Sequence, residues 1–221
     1  FTIYWHKNYF FNIFIFMEEN KIVIFGGSFN PPLNSHFLLA EQMIDEYKDV
    51  EKIIFVPVNS KYHKRDLLPN QYRFEMLKMV CDKNSHFFVS DIELKQARPL
   101  YTIETLRMFQ KEYPMYKICF MIGTDNLKEL STWKEAESLV NEYRIFVLER
   151  DQDHMEEIIK QDPFLEQYKN SFTKVEQPIR LNLSSSLVRD LVRRGKSIKY
   201  LLPNEVEQYI RENKLFLEKE Q

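Results

Sequence analysis

Glycine is scarce in this chain, with four residues in 221 against an average usage of about 7%. A chain so poor in glycine is expected to keep it where the backbone requires it. Two form the pair Gly26-Gly27, and Gly123 ends the apolar run Ile118 to Ile122. Gly195 follows Val192-Arg193-Arg194 as a helix stop. Cysteine is nearly missing as well. Cys81 and Cys119 form neither a CxxC pair nor a zinc spacing, so no disulfide framework is expected and a reduced, cytoplasmic protein is. No apolar run reaches the roughly 18 residues of a membrane span. A surplus of one charge is lacking too: 31 Lys and Arg face 33 Asp and Glu, for a net charge of −2. That balance argues against a general binder of nucleic acid or of anionic membrane, while leaving room for a locally basic pocket.

What is present is 44% apolar residues, arranged in alternating periods. Strands are expected at Ile22–Phe25, Lys52–Val58, Phe87–Val89, 116–122, Arg144–Leu148 and Phe172–Val175. Helices are expected at 34–47, 71–81, 102–112, near 133–141, near 185–194 and near 203–213. Residues 151–170 are acidic, polar and helical at best, and read as a connecting excursion. The alternation predicts an α/β chain, a twisted parallel sheet with helices on both faces and a small C-terminal helical portion over about 184–216. Residues 1–16, aromatic and rich in Asn and Ile, read as an extension outside the fold, leaving 17–221 as a single domain. They lack the patterns of a transit or secretory peptide.

Two segments carry chemistry. Gly26-Gly27-Ser28-Phe29-Asn30-Pro31-Pro32-Leu33-Asn34-Ser35-His36 directly follows the first strand. The glycine pair suits either a tight strand-to-helix turn or the close approach of backbone N–H groups to a phosphate. His36 then falls on the next helix, at the strand edge where open parallel sheets bind ligands. The second segment is Ser184-Ser185-Ser186-Leu187-Val188-Arg189. It opens a helix on serines, with no carboxylate in the first turn and a guanidinium following. That is either a plain serine cap or an anion site, phosphate above all.

Together these segments resemble the GGxF(D/N)P…H and SS(T/S)xxR motifs of the nicotinate/nicotinamide mononucleotide adenylyltransferases, a Rossmann-like nucleotidyltransferase family. Between them, Tyr62-His63-Lys64, Leu100-Tyr101-Thr102, Met121-Ile122-Gly123-Thr124-Asp125 and Thr132-Trp133 are similar to further motifs in the family's order, and the likeness spans about 21–216. One position departs: Leu33 stands where the family has histidine or threonine.

The resemblance implies adenylyl transfer from ATP to a pyridine mononucleotide, of the bacterial type that favours nicotinate mononucleotide. His36, Arg189 and His63 would be catalytic. Gly26, Gly27, Ser28, Phe29, Gly123, Asp125, Ser185 and Ser186, with His36 and Arg189, would bind ATP. Asn30, His63, Lys64, Tyr101, Thr102 and Trp133 would bind the mononucleotide, Thr102 also as a helix cap. Trp133 is expected at the first helical position after a Thr132/Glu135 capping box. Mg²⁺ would be carried on ATP phosphates, with no protein ligands. Preference for the amide substrate, a phosphopantetheine-type nucleotidyltransferase, a catalytically inert nucleotide sensor and a homo-oligomer stay open.

Overall fold

The computed structural model describes residues 20–61, 66–150, 152–176 and 183–217. The strands are β1 (Lys21–Gly27), β2 (Val50–Pro57), β3 (Phe87–Val89), β4 (Lys117–Gly123), β5 (Arg144–Leu148) and β6 (Phe172–Lys174). The helices are α1 (Asn34–Glu46), α2 (Asn70–Cys81), α3 (Thr102–Glu112), the single turn α4 (Thr124–Leu127), α5 (Ala136–Glu142), α6 (Met155–Gln161), α7 (Pro163–Gln167), α8 (Ser185–Arg193) and α9 (Asn204–Glu212). None of the described helices is long and apolar enough to cross a membrane.

All six strands pair in parallel, in the order β3-β2-β1-β4-β5-β6. Strands buried on both faces need apolar residues at nearly every position, and β1 and β4 have them. The two-residue period sends their side chains to opposite layers. Ile22, Ile24, Phe120 and Ile122 enter a core with Ile103, Leu106 and Phe109 of α3. Val23, Phe25, Cys119 and Met121 enter another with Phe37, Ala40 and Met43 of α1. A third core gathers Leu33, Met76, Val188, Ile198, Leu202, Val206, Ile210 and Leu215. It fastens α8 and α9 to α2 and the start of α1, where Asn34 N–H donates to the Leu201 carbonyl at 3.0 Å.

Two expectations need correction. Residues 151–170 do more than connect: α6 and α7 bury Met155, Ile158, Ile159 and Leu165 in the first core. Those apolar residues are too sparse among the acids to stand out by period. The helix expected near 133 starts later. A 3₁₀ turn covers Leu130–Thr132, Trp133 is extended, and Glu135 takes a left-handed φ of 54° before α5 begins at Ala136. The Thr132 hydroxyl donates backward to the Glu129 carbonyl at 2.7 Å. The Glu135 carboxylate pairs with Arg107 at 2.9 Å. The expected capping box therefore does not form.

Residues 1–19 lie outside the described set, as do His63 and Lys64. Gly195 ends α8 with φ +61° and nothing near it, the left-handed stop that favours glycine.

Candidate active site

From β1 the chain runs outward through β2 to β3 on one side, while β4 lies on the other side of β1. The loops leaving β1 and β4 therefore diverge at the carboxyl ends of their strands, and a crevice opens between them. The cleft there measures about 440 Å³, within the range of small-molecule sites. Gly26, Gly27, Ser28, Phe29, Asn30, His36, Thr102, Gly123, Asp125, Trp133, Ser185, Ser186 and Arg189 all line it. Tyr101 does not: its side chain is exposed, and the residue is the N-cap of α3. Thr102 is the first helical residue rather than the cap. The Tyr101 N–H is taken instead by Glu104, at 2.8 Å.

His36 is held by its own helix. The Leu33 N–H donates to His36 Nδ1 at 2.9 Å, and the His36 N–H donates to the Leu33 carbonyl at 3.0 Å. The imidazole thus takes the place of the acid in a capping box. With Nδ1 accepting, the single proton of a neutral ring sits on Nε2. Phe25 and Phe29 stand edge-on to the ring, at centroid distances of 6.0 and 5.2 Å. Burial, and secondarily the Arg150 guanidinium, push the His36 pKa down to about 3. His36 is therefore a fixed, neutral N–H donor.

Leu33 has a double role. Its side chain is buried in the third core, while its backbone orients His36. No histidine side chain is needed at 33 to seat the imidazole. Phe29 has φ 44°, an uncommon backbone region for an aromatic residue. Its ring folds over Gly27, within 3.1 Å of where a Cβ would stand. A side chain at Gly27 would have to push the Phe29 ring away by a few tenths of an ångström.

The turn after β1 is tied down by polar side chains. Asn30 Nδ2 donates to the Asp66 carbonyl at 2.7 Å, and its Oδ1 accepts from the Leu68 N–H at 3.2 Å. Each end of that amide is bonded to protein. Arg73, fully buried on α2, donates to the carbonyls of Leu68 (2.9 Å), Ser28 (3.1 Å) and Val58 (2.6 Å) and to Asn70 Oδ1 (2.9 Å). One guanidinium thus joins the loops that leave β1 and β2. Burial lowers its pKa to about 10, so it stays charged at neutral pH.

The serine run closes the cleft from the C-terminal side. Ser184 caps α8 by accepting from the Leu187 N–H at 3.2 Å. Ser185 Oγ donates to the Pro31 carbonyl at 2.8 Å. Arg189 reaches the Asn30 carbonyl at 2.9 Å and Ser186 Oγ at 3.1 Å, while its buried Nε has no partner among the described residues. The helix start and its guanidinium are thereby latched to the turn that precedes His36.

Across the crevice the groups are looser. Arg150, just beyond β5, faces Asp125 at 3.8 Å. A Cβ on Gly123 would collide with the Asp125 carboxylate and come within 3.0 Å of Arg150 Nε. Trp133 is half-buried beside Phe120, with ring centroids 6.3 Å apart. Arg150, Glu93 and Thr105 line the cleft without having been singled out in the sequence. Arg150 follows the end of a strand and could have been found from that position. Glu93 lies between β3 and α3, in a stretch without regular period. Among the described residues no three His, Cys, Asp or Glu come together as a metal site.

A family model described as Cytidylyltransferase-like matches residues 24–191. A protein of Caldicellulosiruptor bescii named probable nicotinate-nucleotide adenylyltransferase is 34% identical over 197 residues, spanning 89% of this chain and 98% of its own length. One of the same name from Geotalea daltonii is 34% identical over 212 residues, spanning 89% and 98%. Among solved structures, Plasmodium falciparum nicotinic acid mononucleotide adenylyltransferase complexed with NaAD aligns with a TM-score of 0.74 at 23% identity, over 89% of this chain and 97% of that one. The same enzyme complexed with APC gives 0.73 at 22% identity. These two show the shared fold.

Proposed function

The chain belongs to the Cytidylyltransferase-like family, among its nicotinate-nucleotide adenylyltransferases, and on that premise we propose that it transfers the adenylyl group of ATP to nicotinate mononucleotide. An oxygen of the mononucleotide 5′-phosphate attacks the α-phosphorus. The bond from that phosphorus to the oxygen bridging the α- and β-phosphates breaks, and pyrophosphate leaves. The products are nicotinate adenine dinucleotide and pyrophosphate. The attacking phosphate is already ionised near neutral pH, so no general base is required. The protein's task is in-line positioning and stabilisation of negative charge.

One observation carries this reading: a neutral imidazole with Nδ1 fixed by the Leu33 N–H, lining a cleft shared with the start of α8 and Arg189. The Nε2–H donates to an α-phosphate oxygen and holds it as charge grows in the transition state. Gly26, Gly27 and Ser28 border the phosphates. Ser185, Ser186 and Arg189 take the β- and γ-phosphates at the helix N-terminus. Gly123 and Asp125 face adenosine, Asp125 accepting from ribose hydroxyls. Trp133 stacks on the pyridine ring, and Thr102 meets its carboxylate. By the resemblance alone, His63 and Lys64, which lie outside the described residues, would bind the mononucleotide.

Mg²⁺ would be carried by ATP itself and would supply charge neutralisation on the leaving group. The carboxylates lining the cleft among the described residues are Glu93 and Asp125, a donor set that suits an ion carried by the nucleotide.

The test is pyrophosphate release with ATP and Mg²⁺, nicotinate and nicotinamide mononucleotides being compared side by side. Turnover with a kcat/KM ratio favouring the acid supports the proposal. ATP binding without turnover of either mononucleotide would sink it and leave a nucleotide sensor.

A further inference from the structure

Of the two carboxylates that line the cleft, Asp125 follows β4 and Glu93 lies on the other side of the crevice, near Val58 beyond β2 and Thr105 on α3. The expected role of Asp125 leaves Glu93 without one. Its geometry is not that of a solvated surface acid. The Thr105 hydroxyl donates to Glu93 Oε1 at 2.7 Å, and the Glu93 backbone carbonyl accepts from Asn59 Nδ2 at 3.1 Å. Asn59 also binds the Gln96 carbonyl at 3.0 Å, and Asn70 Nδ2 reaches the Leu94 carbonyl at 3.4 Å. The segment carrying Glu93 is therefore fixed to the loops that Arg73 joins, and the carboxylate is held in one orientation. Among the described residues its second oxygen, Oε2, has no hydrogen-bond partner.

The cleft it lines also has the apolar walls Val56, Val58, Pro99, Leu100 and Leu106. Oε2 is not sealed from the cleft, so a donor on a bound ligand can reach it. Burial is also the leading cause of a pKa raised to about 7, which the Thr105 hydrogen bond and the charge of Arg73 oppose.

A nicotinate mononucleotide offers few donors. Its phosphate and its ring carboxylate are anions, and its ring nitrogen carries no hydrogen. The ribose 2′- and 3′-hydroxyls remain. The product has two riboses, and the cleft presents one carboxylate on each side of the crevice. We infer that Glu93 binds the mononucleotide, Oε2 accepting a hydrogen bond from a ribose hydroxyl while Thr105 fixes Oε1. This rests on the proposed adenylyl transfer.

The experiment compares wild-type protein with Glu93→Gln and Glu93→Ala, on nicotinate mononucleotide and on its 2′-deoxy and 3′-deoxy analogues, with ATP varied separately. A hydrogen bond to a charged acceptor is worth about tenfold or more in binding. The expected result is a KM for the mononucleotide raised about tenfold or more in both variants, with the KM for ATP unchanged. One deoxy analogue should cost the wild type a similar factor and cost the variants almost nothing further. Equal losses from the deoxy sugar in wild type and variants would overturn the contact. So would a variant that changes the KM for ATP, or one that changes the acid-to-amide ratio instead. Wild-type protein that turns over no mononucleotide would overturn the parent reading and this inference with it.

Discussion

The two walls of the cleft are built differently. On the β1–β2 side the turn after β1 is held by side chains that are themselves bonded to protein. Arg73 holds three carbonyls and an amide, Asn30 is spent on Asp66 and Leu68, and Leu33 fixes His36. On the β4–β5 side Asp125 and Arg150 are 59% and 44% exposed and 3.8 Å apart, a pairing worth little by itself. The first wall is set before substrate arrives. The second is made of long side chains that can rearrange around a nucleoside. Charge stabilisation in a transition state profits from donors that need no reorganisation, so the chemistry belongs on the fixed wall.

Breaking the fixed wall should therefore have the largest consequences. His36→Ala removes the oriented donor, and kcat is expected to fall about 10²- to 10³-fold with the KM for ATP little altered, as read by steady-state kinetics. Because the imidazole pKa is held near 3, the ring is neutral throughout the working range. The kcat profile from pH 5 to 9 should carry no imidazole step. An inflection near the ordinary histidine value that disappears in His36→Gln would contradict that state. The sign for stability follows. The folded protein disfavours the charged ring, so stability is intact above the unfolded pKa of 6.5 and declines as pH falls from there toward 3.

Arg73→Met comes next. It takes the guanidinium bonds away from the carbonyls of Ser28, Val58 and Leu68, while Asn70 Oδ1 keeps the Ser60 N–H, and should lower unfolding stability by about 3 kcal/mol in denaturant titration. A smaller effect is expected for Leu33→His, which restores the family's usual residue. It would bury an imidazole among Met76, Val188 and Leu202, at a cost of about 1–3 kcal/mol. The melting temperature should drop by about 2–4 °C for each kcal/mol. A variant that melts no lower would mean that position 33 still has room for a polar group. Least of all should be felt at the loose wall. Asp125→Ala is expected to shift stability by less than about 0.5 kcal/mol, while raising the KM for ATP through the lost ribose contact.

The same contrast governs what could be read from the sequence. β1, β2, β4 and β5 announced themselves because buried parallel strands carry near-continuous apolar runs, and the glycine pair, His36 and the serine run lie in contiguous motifs. The fixing groups do not. Arg73 sits in an amphipathic helix as one more cation, and only the fold shows that it points inward at three carbonyls. Glu93 lies in an irregular segment. Trp133 is near its expected place but not on a helix, because the attraction of Glu135 to Arg107, 28 residues away in sequence, competes with the local capping pattern. Position 33 looked like a deficit in sequence. In the fold it is a core residue whose backbone performs the orienting.

The most direct measurement of the central claim is ³¹P NMR of the protein with ATP, Mg²⁺ and nicotinate mononucleotide. Adenylyl transfer predicts loss of the β-phosphate signal of ATP and of the mononucleotide monoester signal. In their place should come dinucleotide diphosphate resonances and one equivalent of pyrophosphate. Release of inorganic phosphate with the monoester intact, or no change while ATP is bound, would contradict it.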